Sequence, residues 1–287
     1  MTTYAVTGAS GQLGRLIVRA LLERHVPPAD IVALARDTTK VADLAAAGVR
    51  TRLADYDRPE TLAPALDSVD RLVLVSGSEV GKRATQHAAV LAAAEAAGVQ
   101  RIAYTSLLKA DTSTVVLAAE HVATEEALAA SPIETTLLRN TWYTENYLGQ
   151  IADYTARGAI VAAAGDAQLT TATRADLAEA AAAAVTAETV GAVYELGGST
   201  FTFAELASAI TTATGTEVLY TPVSVADLTA AMVAGGLDEG TAGFWASVDA
   251  SIARGDLFTS STDLADLIGR APTSLAQAVT DAVEQQR

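Results

Sequence analysis

Three glycines with G-x-x-G-x-x-G spacing lie near the amino terminus, in the segment Gly8-Ala9-Ser10-Gly11-Gln12-Leu13-Gly14. This segment follows a short strand-like run and opens an amphipathic stretch, which predicts a turn between a strand and a helix. Glycines in such a turn let the backbone approach a phosphate closely, and the helix N-terminus attracts its negative charge. We therefore expect Gly8, Ser10, Gly11, Gln12, Leu13 and Gly14 to bind the pyrophosphate of a dinucleotide.

A basic residue stands where the next strand should end. The apolar run Ile31–Ala35 leads directly into Arg36, 22 residues after Gly14. An acidic residue at this point binds the ribose 2′-hydroxyl of NAD, whereas a basic one suits the 2′-phosphate of NADP. Arg36 can hold a phosphate in a bidentate manner and Lys40 could assist, although Asp37 would repel it. The sequence favours NADP(H) as cofactor, with a solvated loop arginine as the alternative reading.

Small and polar residues also follow the later predicted strands. Because ligands of parallel sheets bind at the carboxyl ends of the strands, these positions are candidate cofactor contacts, with ordinary loop turns as the alternative. They are Asp55, Tyr56, Ser76, Gly77, Thr105, Ser106, Arg139 and Asn140.

Many reductases protonate their product with a Tyr-x-x-x-Lys pair on one helix face, in which the lysine lowers the pKa of the tyrosine. The residues four places before the three lysines of this chain are Arg36, Ser78 and Thr105, so the pair is absent. The helix that should carry it instead holds His121 and Glu125, which share a face. They predict either a helical salt bridge or a proton relay through His121.

An acceptor that needs no strong side-chain acid would suit such a site, and a quinone qualifies. Hydride addition to a quinone gives a stabilised anion that water can protonate, so catalysis is mainly positioning. The aromatic residues Trp142, Tyr143 and Tyr147 could stack on a flat ring, and Phe244 and Trp245 form a second candidate wall. The candidate catalytic residues are His121, Tyr143 and Tyr147.

The hydrophobic pattern of the chain alternates between strand-like and helix-like periods, which indicates the elements that position these residues. Predicted strands cover Thr3–Thr7, Ile31–Ala35, Val49–Leu53, Arg71–Val75, Arg101–Thr105 and Glu134–Leu138. Predicted helices cover Gln12–Arg24, Thr39–Ala47, Pro59–Leu66, Val80–Ala97, Val115–Ala130, Phe203–Thr211 and the glycine-interrupted Asp227–Gly255. This alternation predicts an α/β fold, a Rossmann-like doubly wound parallel sheet with helices on both faces. We expect a cofactor domain over residues 1–150 and a smaller, partly interleaved α/β substrate-covering region over 151–287.

The amino-acid composition argues against several classes of function and partner. The 287 residues are 50% hydrophobic, so the chain can bury a sizeable core. A net charge of −15 disfavours nucleic acid as a partner. With no cysteine and three isolated histidines, we expect no metal site and no thiol chemistry. No apolar run reaches the length of a membrane span and no signal peptide is evident, so we expect a cytoplasmic protein.

The chain resembles the NmrA-like group of atypical short-chain dehydrogenase/reductases. Within that group it is most similar to the type 2 NAD(P)H:quinone oxidoreductases and the triphenylmethane reductases. The resemblance is carried by Ala5–Gly14, Tyr104–Ser113, Glu120-His121, Thr124-Glu125, Leu137–Tyr147, Ala163–Asp166, Thr173–Asp176 and Tyr194–Leu196.

The resemblance implies a Rossmann domain and a C-terminal part that covers the active site. It also implies NADPH bound by the glycine loop, by Arg36, by the Ser76-Gly77 turn and by the Arg139–Tyr143 segment, which adds Trp142 and Tyr143 to the cofactor contacts. It also implies two-electron reduction of quinones without a Tyr/Lys pair. As partners we expect a small-molecule acceptor such as a quinone and a possible homodimer. Lys109 departs from the pattern and Val223–Gly255 matches loosely, which leaves open a reductase of another carbonyl, imine or cationic dye. The missing Tyr/Lys pair is also compatible with a non-catalytic NADP-sensing regulator.

Overall fold

The framework of the molecule is a parallel β-sheet, seen in a computed structural model that describes residues 2–285. Within that range the strands are β1 (Tyr4–Val6), β2 (Ile31–Ala35), β3 (Arg50–Leu53), β4 (Arg71–Leu74), β5 (Arg101–Leu107), β6 (Glu134–Asn140), β7 (Trp142–Tyr143), β8 (Ala159–Ala162), β9 (Leu169–Ala172), β10 (Val193–Leu196), β11 (Ser199–Phe201) and β12 (Leu219–Pro222). The main sheet has the order β10-β6-β5-β4-β1-β2-β3, and its neighbouring strands are all parallel. The direction of winding reverses between β1 and β4, which is where a doubly wound sheet opens a crevice.

Helices cover both faces of this sheet. In the described range they are α1 (Gln12–Glu23), α2 (Ala42–Ala46), α3 (Leu62–Leu66), α4 (Arg83–Ala97), α5 (Ala118–Ala130), α6 (Glu145–Leu148), α7 (Ile151–Arg157), α8 (Arg174–Thr186), α9 (Phe203–Thr214), α10 (Val225–Ala234), α11 (Glu239–Ala253), α12 (Asp263–Ile268) and α13 (Leu275–Gln285). Ile17 of α1 and Ala181 of α8 belong to the core on one face, while Val90 of α4 and Leu128 of α5 belong to the core on the other. The predicted α/β Rossmann-like class is confirmed.

Several predicted boundaries differ from the observed ones. The helix predicted from Val80 begins only at Arg83, because Gly81 adopts a left-handed φ of +87° in the preceding loop. The predicted helix over Asp227–Gly255 is two helices. Gly236, with φ +101°, follows the end of α10, and Asp238 caps α11 by accepting a hydrogen bond from the Thr241 N–H.

The chain after β6 builds a smaller part with its own core and then returns to the main sheet. Strands β11, β9 and β7 form one small sheet, and β12 pairs with β8 in another. Tyr147, Phe203 and Ile210 are buried in this second core. Strand β10 forms the edge of the main sheet beside β6, and α8 packs on α1, so the C-terminal half also supports the cofactor half.

Residues 2–285 contain neither a membrane-spanning helix nor a metal-binding cluster of side chains. No helix there is both long and apolar enough to cross a membrane. Within the same residues, no group of three or more histidine, aspartate or glutamate side chains is placed to hold a metal ion.

Candidate functional site

A cleft of about 510 Å³ lies at the carboxyl ends of β1 to β4, where the strand order reverses. Its size is in the range of pockets that enclose small-molecule ligands and cofactors. Of the predicted cofactor contacts, those lining it are Gly8, Ser10, Gly11, Gln12, Leu13, Gly14, Arg36, Asp55, Tyr56, Ser76, Gly77 and Tyr143. The structure therefore brings together the glycine loop, the end of β2 and the turn after β4, as the sequence predicts.

The glycine loop leaves the start of α1 open to an anion. Gly8 adopts φ +60°, and the Gly11 N–H donates to the Gly8 carbonyl oxygen at 2.8 Å. No side chain caps α1, and its first turn carries no carboxylate. A Cβ on Gly14 would lie 2.3 Å from the Gly8 carbonyl oxygen, so the helix packs on the loop at a distance that only glycine allows. Free N–H groups and the positive end of the helix dipole fit the pyrophosphate of a dinucleotide.

Two cations, Arg36 and Lys40, line the end of the cleft beside β2. The Arg36 side chain is 65% exposed, so a ligand can reach its guanidinium. The Asp37 carboxylate binds Thr39 instead of facing the cleft. Its Oδ1 accepts hydrogen bonds from the Thr39 N–H at 3.0 Å and the Thr39 hydroxyl at 2.6 Å, and the hydroxyl holds the pKa of Asp37 below its usual value. Asp37 does not line the cleft, and this end fits a phosphate group.

The turn after β4 is held from behind by a buried polar network. The Gly77 N–H donates to His87 Nε2 at 3.1 Å, and Arg83 Nε donates to the Gly77 carbonyl oxygen at 2.9 Å. Because Nε2 accepts, the His87 proton lies on Nδ1, which faces Thr124 Oγ1 at 3.0 Å. Burial, with a smaller effect of Arg83, lowers the pKa of His87 to about 3. A neutral histidine therefore fixes the backbone of the cleft wall.

His121 does not lie in the cleft. It is 5% exposed, and its Nδ1 lies 2.8 Å from the Tyr104 hydroxyl, which is also buried. Burial lowers the pKa of His121 to about 3 and raises the pKa of Tyr104. The ring is buried and does not line the cleft, and it is neutral rather than positively charged near pH 7. The geometry therefore contradicts the predicted proton relay through His121.

Glu125 does not pair with His121, so the predicted helical salt bridge is wrong as well. Glu125 Oε2 lies 2.7 Å from Arg139 Nη2, and its Oε1 accepts a hydrogen bond from Ser106 Oγ at 2.5 Å. Arg139 Nη1 also contacts Glu195 Oε1 at 3.0 Å. Hydrogen bonding to Glu125 raises the pKa of Arg139.

This network joins β5, α5, β6 and β10, and it uses the polar groups of Ser106 and Arg139. Neither residue lines the cleft, so the structure gives no support to their predicted cofactor contacts. A strand-end position alone does not show which side of the sheet a side chain takes.

Thr105 and Asn140 lie near the cleft without lining it. Thr105 Oγ1 accepts a hydrogen bond from the Ser76 N–H at 2.9 Å, so it orients the turn after β4 from behind. Asn140 is 4% exposed, and within residues 2–285 its Oδ1 is buried without a hydrogen-bond partner. Neither Thr105 nor Asn140 is therefore placed to contact a ligand in this cleft directly.

Strand β7 holds two of the three predicted aromatic residues, Trp142 and Tyr143. Alternation along the strand sends Tyr143 to the cleft and Trp142 to the C-terminal core. The Arg174 guanidinium lies 4.3 Å from the centroid of the Tyr143 ring, a cation–π arrangement. Burial raises the pKa of the Tyr143 hydroxyl. Tyr143 is thus the aromatic residue among these three that can face a bound ring.

The other aromatic candidates are packing residues. The Trp142 ring meets the Trp245 ring edge to face, with centroids 6.2 Å apart, and Phe244 packs against Trp245. Tyr147 is 7% exposed and packs edge to face on Phe203. Trp142 and Tyr147 are buried in the C-terminal core, and the half-buried Phe244 and Trp245 pack against it. None of these four side chains lines the cleft, so the geometry does not support the predicted cofactor contact of Trp142, the predicted catalytic role of Tyr147 or the second aromatic wall.

Sequence reasoning missed Arg174, Glu79 and Gln86, which all line the cleft. Arg174 begins α8 directly after β9, so the rule of strand carboxyl ends would have found it if the threonine-rich strand had been recognised. Glu79 lies in the loop after β4, two residues past the predicted turn. Gln86 belongs to α4, and no motif distinguishes it.

The fold and this cleft define a Rossmann-type dinucleotide-binding protein. Residues 8–188 match the NAD(P)H-binding family, and the chain belongs to that family. The predicted NmrA-like resemblance and the predicted NADP(H) cofactor are confirmed.

Full-length relatives agree with this assignment. Quinone oxidoreductase 2 of Escherichia coli (strain K12) is 47% identical over 278 residues, which are 96% of this chain and 97% of that protein. The crystal structure of the NADPH-dependent quinone oxidoreductase of Escherichia coli complexed with NADPH superimposes with a TM-score of 0.95 at 45% identity, covering 98% of this chain and 100% of that one. The Citrobacter sp. triphenylmethane reductase complexed with NADP(H) gives a TM-score of 0.92 at 38% identity, covering 98% and 100% of the two chains.

Proposed function

We propose that the protein is an NADPH-dependent oxidoreductase that transfers a hydride to a quinone or a similar conjugated acceptor. Its full-length similarity to a quinone oxidoreductase supports this reaction class. One structural observation carries the choice of acceptor. The helix face that would supply a catalytic acid, at His121 and Glu125 of α5, is buried in hydrogen bonds and ion pairs away from the cleft. The acceptor must therefore tolerate hydride addition without an acid from α5.

The chain's own residues act by binding and orientation. The free N–H groups at the start of α1 and the loop from Gly8 to Gly14 hold the pyrophosphate, and Arg36 with Lys40 holds the 2′-phosphate. When bound, the cofactor supplies the hydride. Tyr143 offers a flat wall for a ring at the other end of the cleft. A quinone gains the hydride and then one proton from water, which completes its two-electron reduction to the hydroquinone.

A cationic dye is the second candidate acceptor. A groove of about 750 Å³ lies beside the cleft and shares Gln12 and Arg174 with it. Glu145 and Asp281 also line this groove, and Arg174 is its sole cationic side chain among the described residues. Two carboxylates against one cation favour neutral or cationic molecules over anionic ones. The resemblance to a triphenylmethane reductase supports the same candidate.

The acceptor is identified by following NADPH absorbance with 1,4-benzoquinone, cyclohexanone and crystal violet in turn. We expect rapid oxidation of NADPH with benzoquinone and little with cyclohexanone, whose alkoxide product needs an acid. Faster turnover of crystal violet than of benzoquinone would favour the dye. NADPH binding without turnover of any acceptor would refute both enzyme proposals and favour an NADP-sensing regulator. The homodimer stays a prediction that sedimentation can test.

A further inference from the structure

Arg36 forms an ion pair with Glu79 at one end of the cleft. Arg36 Nη1 donates to Glu79 Oε1 at 3.1 Å, and both side chains line the cleft. They come from different elements, since Arg36 follows β2 and Glu79 lies in the loop between β4 and α4. A carboxylate therefore sits on the guanidinium to which we assign the 2′-phosphate of the cofactor.

The loop that carries Glu79, residues 78–82, is anchored at its base. The Gly81 N–H donates to Glu120 Oε1 at 2.7 Å, and Glu120 Oε2 lies 3.0 Å from Arg83 Nη1. Arg83 is 4% exposed, and it also binds the Gly77 carbonyl oxygen. The Arg83–Gly77 hydrogen bond therefore joins the two ends of the loop. Between these ends, the side chain of Glu79 extends to Arg36.

Glu79 has a second partner on its own loop. Its Oε2 lies 2.9 Å from Lys82 Nζ, while Oε1 faces Arg36. The carboxylate can therefore release Arg36 and still keep a cation. Both cations are more than half exposed, so each of these ion pairs is weak. A phosphate monoester carries about −1.5 to −2 charges at pH 7 and pairs with arginine in a bidentate manner, so it competes well for the guanidinium.

We propose that Glu79 occupies the place beside Arg36 that the 2′-phosphate of NADPH takes, and that this internal competition limits the preference for NADPH over NADH. NADPH must displace the carboxylate from Arg36 and tolerate its charge nearby. NADH has no 2′-phosphate and leaves the pair intact. The inference rests on the proposed role of Arg36 and is independent of the acceptor.

The test is a comparison of dissociation constants for NADPH, NADH and 2′,5′-ADP in the wild-type protein and in Glu79→Gln. We expect Glu79→Gln to bind NADPH and 2′,5′-ADP about fivefold more tightly, the size of an exposed ion pair, and to change NADH binding by less than about twofold. Because 2′,5′-ADP lacks the nicotinamide, its response places the effect at the phosphate end. In an Arg36→Ala background the gain should shrink, since no guanidinium is left to compete for.

Glu60→Gln is the matched control. Glu60 pairs with Arg58 at the same N–O distance of 3.1 Å and is also exposed, but it does not line the cleft. We expect it to leave all three affinities unchanged. Unchanged or weaker NADPH binding in Glu79→Gln, equal tightening for NADH, or the same gain in Glu60→Gln would each overturn the inference. If Arg36→Ala weakens the binding of NADPH and of NADH equally, the proposed phosphate-binding role of Arg36 is wrong. This outcome is distinguishable from a failure of the proposed competition by Glu79 alone.

Discussion

Gly14→Ala tests whether the glycine loop holds the pyrophosphate by close backbone approach. Gly14 lies in the first turn of α1, where an added Cβ would stand 2.3 Å from the Gly8 carbonyl oxygen and 2.9 Å from that of Thr7. Real Cβ contacts are essentially never shorter than 3.0 Å, so the helix start must move away from the loop by roughly 0.7 Å. Both partners are backbone atoms, so no side chain can rotate to relieve the contact.

The shift should affect binding more than folding. Overpacking costs about 1–3 kcal/mol, of which the better helix propensity of alanine returns about 1 kcal/mol. A displacement of this size also misaligns the N–H groups that face the pyrophosphate. Losing one or two hydrogen bonds to a charged group, at about 1.5–3 kcal/mol each, weakens NADPH binding by roughly 10- to 100-fold or more.

Fluorescence titration with NADPH and thermal denaturation measure the two effects separately. Gly243→Ala is the control, because Gly243 is a helical glycine of α11 with nothing within 4 Å of an added Cβ. It should stabilise the fold by up to about 1 kcal/mol and leave NADPH affinity unchanged. A folded Gly14→Ala protein that binds NADPH like the wild type would refute the assignment of this loop.

Three further predictions address charge and protonation. Arg36→Ala should weaken NADPH by about 10- to 100-fold and NADH by less than about threefold in equilibrium titrations, because it removes a charged hydrogen bond to the 2′-phosphate; equal losses would contradict its role. His121→Gln should keep quinone turnover within about threefold of wild type, because general-acid roles are worth about 100-fold or more; a 100-fold loss in steady-state kinetics would restore the proton relay. Folded His87 and His121 have a pKa of about 3, below their unfolded value of 6.5, so the unfolded chain binds more protons between these limits. The free energy of unfolding from urea titrations should therefore be fully retained above pH 6.5 and fall as the pH drops towards 3. Each histidine contributes at most about 1.4 kcal/mol per pH unit, and a His87→Gln protein with the same slope would contradict this account.

The residues of the cofactor half of the cleft were predictable because features of the backbone determine where they lie. The spacing from Gly8 to Gly14 and the strand that ends before Arg36 determine where N–H groups and a guanidinium lie, whatever the packing of other side chains. The expected repulsion between Asp37 and the phosphate did not take account of its hydrogen bonds to Thr39, because these depend on a turn that the sequence does not show plainly.

The acceptor half was less predictable because it depends on side-chain direction. The four-residue spacing of His121 and Glu125 shows that they share a face of α5, but not that this face meets buried Tyr104 and Arg139. Trp142 and Tyr143 are adjacent in sequence and point to opposite sides of β7. Arg174 depends on strand β9, whose pairing partners β7 and β11 are themselves two and three residues long.

The central claim is that hydride transfer here needs no side-chain acid. Tyr143 is the candidate catalytic residue that lines the cleft, so the decisive measurement is the pH profile of kcat for benzoquinone reduction by wild type and Tyr143→Phe. We expect pH profiles without an ionisation between pH 6 and 9 and kcat values within about threefold of each other, since water protonates the product. A loss of about 100-fold in Tyr143→Phe, with a pH-dependent limb that the substitution removes, would show that the hydroxyl is the acid and contradict the claim.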